Sequence, residues 1–73
     1  MGVVLRADRL RWELARRGWG NGDLARAAGL SHPTVGAALA GRRVSPRTVR
    51  RIARALTDAT PVEGADQLLP PIG

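Results

Sequence analysis

Residues 21–41 read Asn-Gly-Asp-Leu-Ala-Arg-Ala-Ala-Gly-Leu-Ser-His-Pro-Thr-Val-Gly-Ala-Ala-Leu-Ala-Gly, and their spacing decides the fold. Leu24, Ala25 and Ala28 share one side of a helix. Asn21 is placed to cap its start, and Asp23 puts negative charge in the first turn, where the helix dipole favours it. Gly29 has no Cβ, so it accepts the left-handed backbone that ends one helix and redirects the chain. Ser31 then caps a second helix whose first turn holds Pro33, where a missing N–H costs nothing. Val35, Ala38 and Leu39 point inward from that helix, and Gly41 closes it.

Two helices joined by so short a loop must cross steeply. Ala25 has to be small because the second helix packs over it. Gly29 has to take a positive φ, and Leu30 and Val35 have to be apolar to fill the space between the helices. The sequence meets all four conditions at the right relative spacing. This is the layout of a helix-turn-helix, in which the second helix can enter the major groove of DNA.

Upstream, Leu5, Ala7, Leu10 and Leu14 predict a helix from Leu5 or Ala7 to Arg17, with Arg9, Arg11, Glu13 and Arg16 facing water. Gly18 stops it, and Trp19 folds back as a core plug. Trp12 is assigned to the core, with an exposed position that marks an interface as the alternative. Downstream, Ser45 followed by Pro46 is the clearest helix start in the chain. Val49, Ile52, Ala53 and Leu56 follow with apolar helical spacing, and Arg50, Arg51 and Arg54 are read as solvated surface. Thr60, Pro61 and Glu63 repeat a cap signal and predict a short fifth helix to about Leu69, weakened by Gly64 inside it. The expected organisation is one domain over residues 1–69 and an extended or frayed tail over 70–73.

Composition agrees with an all-α domain of four or five helices. The chain has 73 residues, no Cys, no Tyr and no Phe, and one His. Disulfides and Cys-based metal sites are excluded, and His32 cannot hold a metal alone. No cofactor and no small-molecule ligand is expected. Without a nucleophile–base pair or a Gly-rich phosphate loop, an enzyme is not expected either. No apolar run approaches the roughly 20 residues that span a membrane, and no signal peptide is visible, so a cytoplasmic protein is expected. A core this small leaves tight helix packing or dimerisation as the source of stability.

Charge is divided along the chain. Residues 1–56 hold all 12 basic residues, every one an Arg, against Asp8, Glu13 and Asp23, which gives 12 − 3 = +9. Residues 57–73 hold only Asp58, Glu63 and Asp66, which gives −3 and a total of +6. The Lys-free, Ala-rich composition also fits a coding bias toward Arg, but such a bias does not explain the motif. A body this basic implies a polyanionic partner, most simply nucleic acid. Arg42 and Arg43, directly after the second helix of the motif, are placed to grip phosphate or reach a base edge. Arg47, beside the N–H groups that open the next helix, suits a phosphate. Arg26 is a further candidate contact.

The stretch Asp23-Leu24-Ala25-Arg26-Ala27-Ala28-Gly29-Leu30-Ser31, preceded by a leading helix, resembles lambda-repressor-like domains of the Cro/repressor (XRE) type, with the likeness extending over about residues 5–69. Residues Gly29–Arg43 are also similar to the headpieces of lac-repressor-type regulators, but those begin directly with the motif. The resemblance implies a sequence-specific regulator of transcription, a repressor of phage, mobile-element or antitoxin type. It would bind double-stranded DNA as a homodimer, in the cytoplasm of a bacterium or from a phage genome. It implies a phosphate contact at Asn21, where the family usually has Gln. It implies base reading from the first turn of the second helix, at Ser31, His32, Pro33 and Thr34, with Ala37 one turn on. Of these, Ser31 is read as cap and phosphate contact, His32 and Thr34 as base-edge readers, and Ala37 as a partner for a thymine methyl. Residues 31–40 contain no Arg, Gln or Asn, so bidentate reading of G or A is absent there. A module that binds a toxin or a transcription component, and a nonspecific architectural DNA binder, are the alternatives. The end of the fourth helix and the 57–69 segment, with Val62, Leu68 and Leu69, are the expected dimer surface.

Overall fold

Among the described residues, seven elements follow one another: strand β1 (Val3–Val4), helices α1 (Ala7–Ala15), α2 (Asn21–Ala28) and α3 (His32–Leu39), strand β2 (Arg43–Val44), then α4 (Pro46–Asp58) and α5 (Ala65–Leu68). The structure, a computed structural model, describes residues 2–72. Met1 and Gly73, the outer ends of the expected domain and tail, lie outside the described residues. The class is all-α, with a two-stranded antiparallel ladder that pairs Val3 with Val44 and Val4 with Arg43.

The two serine-capped helices begin as expected. Ser31 Oγ accepts the Thr34 N–H at 3.3 Å, and Ser45 Oγ accepts the Thr48 N–H at 3.1 Å, with Pro46 opening α4. Helix α1 starts at Ala7 and α2 directly after Gly20, both as expected, while the cap of α2, the end of α1 and the start of the last helix differ. Gly20, not Asn21, caps α2. The extended Gly20 turns its N–H toward Asp23 Oδ2, 2.8 Å away, so Asn21 becomes the first helical residue. Regular α1 ends at Ala15, two residues early, and Arg16–Gly18 tighten into a turn closed by the positive φ of Gly18. The Thr60-Pro61 signal starts no helix, because the Val62 N–H is drawn to Arg16 O at 2.8 Å. Gly64, expected inside a helix as a weakness, instead precedes α5 with φ +82°.

The core is contributed by Leu10 and Leu14 of α1, Leu24, Ala25 and Ala28 of α2, Val35, Ala38 and Leu39 of α3, Val44, and Ile52 and Ala55 of α4. Leu24 and Val35 are fully enclosed, and burying each contributes roughly 1.5–3 kcal/mol. Trp19 and Leu30 are partly buried against this cluster. Trp12 is only half-buried. Its indole N–H donates to Pro70 O at 2.8 Å, and its ring lies under the guanidinium groups of Arg9 and Arg16.

The inward face of α4 differs from the expected one. Thr48, Ile52 and Ala55 are buried, whereas Val49 and Leu56 are half-covered and Ala53 is exposed. The Thr48 hydroxyl can be buried because it bonds Ser45 Oγ at 3.0 Å. The helix is therefore rolled toward α2, and Val49, Ala53 and Leu56 line an open groove against α1.

Arginine holds the helices together at their C-terminal ends. Those ends expose unsatisfied carbonyls and partial negative charge. Arg51 of α4 donates to Ala28 O and Gly29 O at the end of α2. Arg11 of α1 donates to Leu39 O at the end of α3. Arg17 donates to Leu56 O at 3.0 Å and Ala59 O at 3.3 Å at the end of α4. Arg11, Glu13 and Arg16 thus do not simply face water. Glu13 accepts from Arg9, Arg16 and Arg17 at once. Partial burial pushes its carboxyl pKa up, but the Arg17 hydrogen bond and the charges of Arg16 and Arg17 outweigh that effect and hold it below the usual value.

Candidate nucleic-acid interface

The Gly29 turn sets the geometry of the interface. Gly29 has φ +66°, and its N–H and that of Leu30 bond back to Arg26 O and Ala25 O. An added Cβ there would lie 3.0 Å from the Arg51 guanidinium that ties α4 to the turn. The turn is thus fixed twice, by backbone conformation and by a cap from another helix. With Val35, Ala38 and Leu39 facing the core, α3 presents its first turn outward. Ser31, His32 and Pro33 are exposed, and Thr34 is half-buried with its hydroxyl 2.9 Å from Ser31 Oγ.

The expected contact residues fall into two clusters and two outliers. On one side, His32 stands by the start of α2. A Cβ built on Gly22 would lie 3.4 Å from the His32 ring and 3.6 Å from the Arg26 guanidinium. Arg26 is exposed and pairs with Asp23 at 2.6 Å. Asn21 is exposed one residue earlier in α2. On the other side, Pro33, Thr34, Ala37 and Arg43 line a shallow depression of about 340 Å3 with Val44, Ser45 and Thr48. Arg43 is aimed outward by the ladder, since Val44 next to it turns into the core and strand side chains alternate. Arg42, after the left-handed Gly41, and Arg47, in the first turn of α4, are both exposed and join neither cluster by a direct contact.

The arginines of this surface are distinguished by what they lack. Among the described residues, the side chains of Arg42, Arg43, Arg47 and Arg50 take part in no hydrogen bond, ion pair or ring contact. The sequence contains no Asp or Glu from Leu24 to Thr57, so their charge has no local compensation. Arg50 was not legible as part of this set. Arg50, Arg51 and Arg54 look alike in sequence, yet Arg51 caps α2 and Arg54 reaches Asp58 at 3.9 Å. Only the Arg54–Asp58 spacing of i, i+4 could have been read beforehand.

Two helices crossing at a left-handed glycine, with a bare helix start flanked by uncompensated arginines, define a DNA-binding helix-turn-helix domain. The chain belongs to the family described as "Helix-turn-helix domain", whose pattern matches residues 5–65. No curated protein and no solved structure matches it. Among the described residues, no helix is long and apolar enough to cross a membrane.

Proposed function

We propose that this protein is a sequence-specific transcriptional repressor of the lambda-repressor-like (XRE) type that inserts α3 into the DNA major groove. The observation that carries this reading is the unpaired Arg43 beside the first turn of α3, with the unpaired Arg42 and Arg47 in the segments that flank it in sequence. An arginine that the fold does not use is free to replace counterions on phosphate. Positioning comes from Arg43 and Arg47, with Asn21, Arg26 and Ser31 on the other flank. Base reading comes from His32 and Thr34, from packing of Pro33 and Ala37 against a thymine methyl, and from Arg42 at a guanine edge. With so few hydrogen-bonding groups on α3, sequence-dependent DNA shape supplies part of the selectivity. The protein acts as a homodimer on two half-sites about one helical turn apart, in the cytoplasm of a bacterium that carries a phage, mobile-element or antitoxin gene.

Selection of bound sites from a random duplex pool, followed by a salt titration, tests the reading. The expected result is a short palindromic motif, with log affinity falling linearly against log salt at about 0.9 per phosphate contacted. Equal affinity for the selected motif and random DNA would identify an architectural binder instead. Affinity indifferent to salt would remove the DNA reading altogether.

A further inference from the structure

Strand β1 makes a contact that core packing does not explain. Val3 is half-buried and pairs with the buried Val44, which gives the ladder its inward face. Side chains alternate along a strand, so Val4 and Arg43 share the outer face. Val4 stands directly opposite Arg43, and Gly2 is the diagonal neighbour, within reach of a long side chain. Neither adds to the core, since Gly2 is exposed and Val4 is 59% exposed.

Gly2 lies against the stem of Arg43. A Cβ added to Gly2 would come 2.9 Å from Arg43 Cβ, 3.0 Å from Cδ and 3.3 Å from Cγ. The nearest of these atoms is fixed to the backbone of β2, so turning the Arg43 side chain does not relieve the clash. Any other residue at position 2 therefore pushes β1 off the stem. Among the described residues, Gly29 is the other glycine with so close an approach, and its neighbour is also an arginine, Arg51. The two contacts differ in what they leave free. Arg51 spends its guanidinium on the end of α2. Arg43 is touched along its methylene stem, and among the described residues its guanidinium engages nothing. Arg43 also borders the depression that Pro33, Thr34 and Ala37 of α3 line.

A loose arginine samples many rotamers, and ordering it on a ligand weakens binding. A stem packed under a strand has lost part of that freedom before the ligand arrives, while its charged head stays open. We propose that Gly2, with β1, is a positioning residue for DNA binding: it holds the stem of Arg43 so that the guanidinium is presented to a phosphate beside the first turn of α3. Gly2 acts through Arg43 and not by touching DNA. This inference rests on the DNA-binding reading above and adds to it a residue outside the helix-turn-helix motif.

Two measurements on the full chain test it, the first without DNA. In NMR spectra the wild type should show proton contacts between Gly2 and the Arg43 side chain. Gly2→Ala should weaken those contacts and lower the order of the Arg43 Nε–H, leaving Arg47 and Arg50 as they were. The second is binding to a mixed-sequence duplex at fixed salt. Gly2→Ala should lower affinity roughly threefold to tenfold, the cost of ordering one long side chain. Circular dichroism melts should match the wild type, because Gly2 lies outside the core. In an Arg43→Ala background the same replacement should change affinity by less than about twofold. An Arg43 side chain equally ordered in wild type and Gly2→Ala overturns the proposal. So does wild-type affinity in Gly2→Ala, or an equal loss in both backgrounds, which would place a separate contact on β1. A wild type that binds no duplex removes the DNA-binding reading instead, and the NMR comparison alone then decides whether Gly2 holds Arg43.

Discussion

Arg17 and Arg42 are the same residue in opposite circumstances. The Arg17 side chain is 7% exposed and spends its guanidinium on Glu13, Leu56 O and Ala59 O. Arg42 is exposed and, among the described residues, engages nothing. Net charge counts both equally, yet one closes a helix end and the other stays available to a ligand. The planar fork of arginine serves both tasks, since it satisfies carbonyls and carboxylates as readily as phosphate. In this chain the partners, and not the residue type, separate scaffold from recognition surface.

The largest effect is expected at Arg17. Arg17→Met leaves the end of α4 uncapped and strips Glu13 of its best partner, so stability should fall by about 2–4 kcal/mol in urea unfolding. Unchanged stability would show that the capping contacts contribute nothing net. Acid comes next. Because the Glu13 carboxyl is held below its ordinary value of 4.5, its contribution is complete above that pH and is lost as pH falls through the lower folded value. Glu13→Gln should therefore flatten the stability profile below about pH 4.5 and leave a residual slope from Asp8, whose carboxyl is lowered by its Arg6 hydrogen bond.

On the recognition side, Arg42→Ala with Arg43→Ala should leave stability within about 0.5 kcal/mol, reduce the slope of log affinity against log salt by about 1 through the lost Arg43 phosphate contact, and relax selectivity at the guanine read by Arg42. A loss of stability from this pair, or an unchanged salt slope, would erase the division between the two arginine sets. The smallest effect is expected at Arg54, whose exposed pair with Asp58 is stretched to 3.9 Å. Arg54→Ala should change stability by less than about 0.5 kcal/mol and leave the salt slope unaltered.

What could be read beforehand follows from how local the chemistry is. The Ser31 and Ser45 caps and the Gly29 turn depend on neighbours within a few residues, so the motif and its helix starts were legible. The Thr60-Pro61 signal failed because a tertiary hydrogen bond from Val62 to Arg16 O overrides a local cap. The β1–β2 ladder escaped because it joins two residues at each of two distant points and has no periodicity to show. The capping arginines were invisible for the same reason, since Arg11 meets Leu39 and Arg17 meets Leu56 only once the helices are packed. The open groove depends on the roll of α4, which the apolar spacing of Val49, Ile52, Ala53 and Leu56 does not specify. The candidate contacts were legible as exposed polar groups at a helix start, but which arginines remain unused is known only after all the others have found partners.

The two tryptophans divide the molecule optically. With no Tyr in the chain, near-ultraviolet emission comes from Trp12 and Trp19 alone. Trp19 sits against the core and follows global unfolding, whereas Trp12 holds the Pro70 carbonyl beneath two guanidinium groups and follows the docking of the C-terminal segment. A single Trp→Phe replacement at either position therefore isolates one signal, and fluorescence can time the release of α5 separately from the melting of the helices that carry the recognition surface.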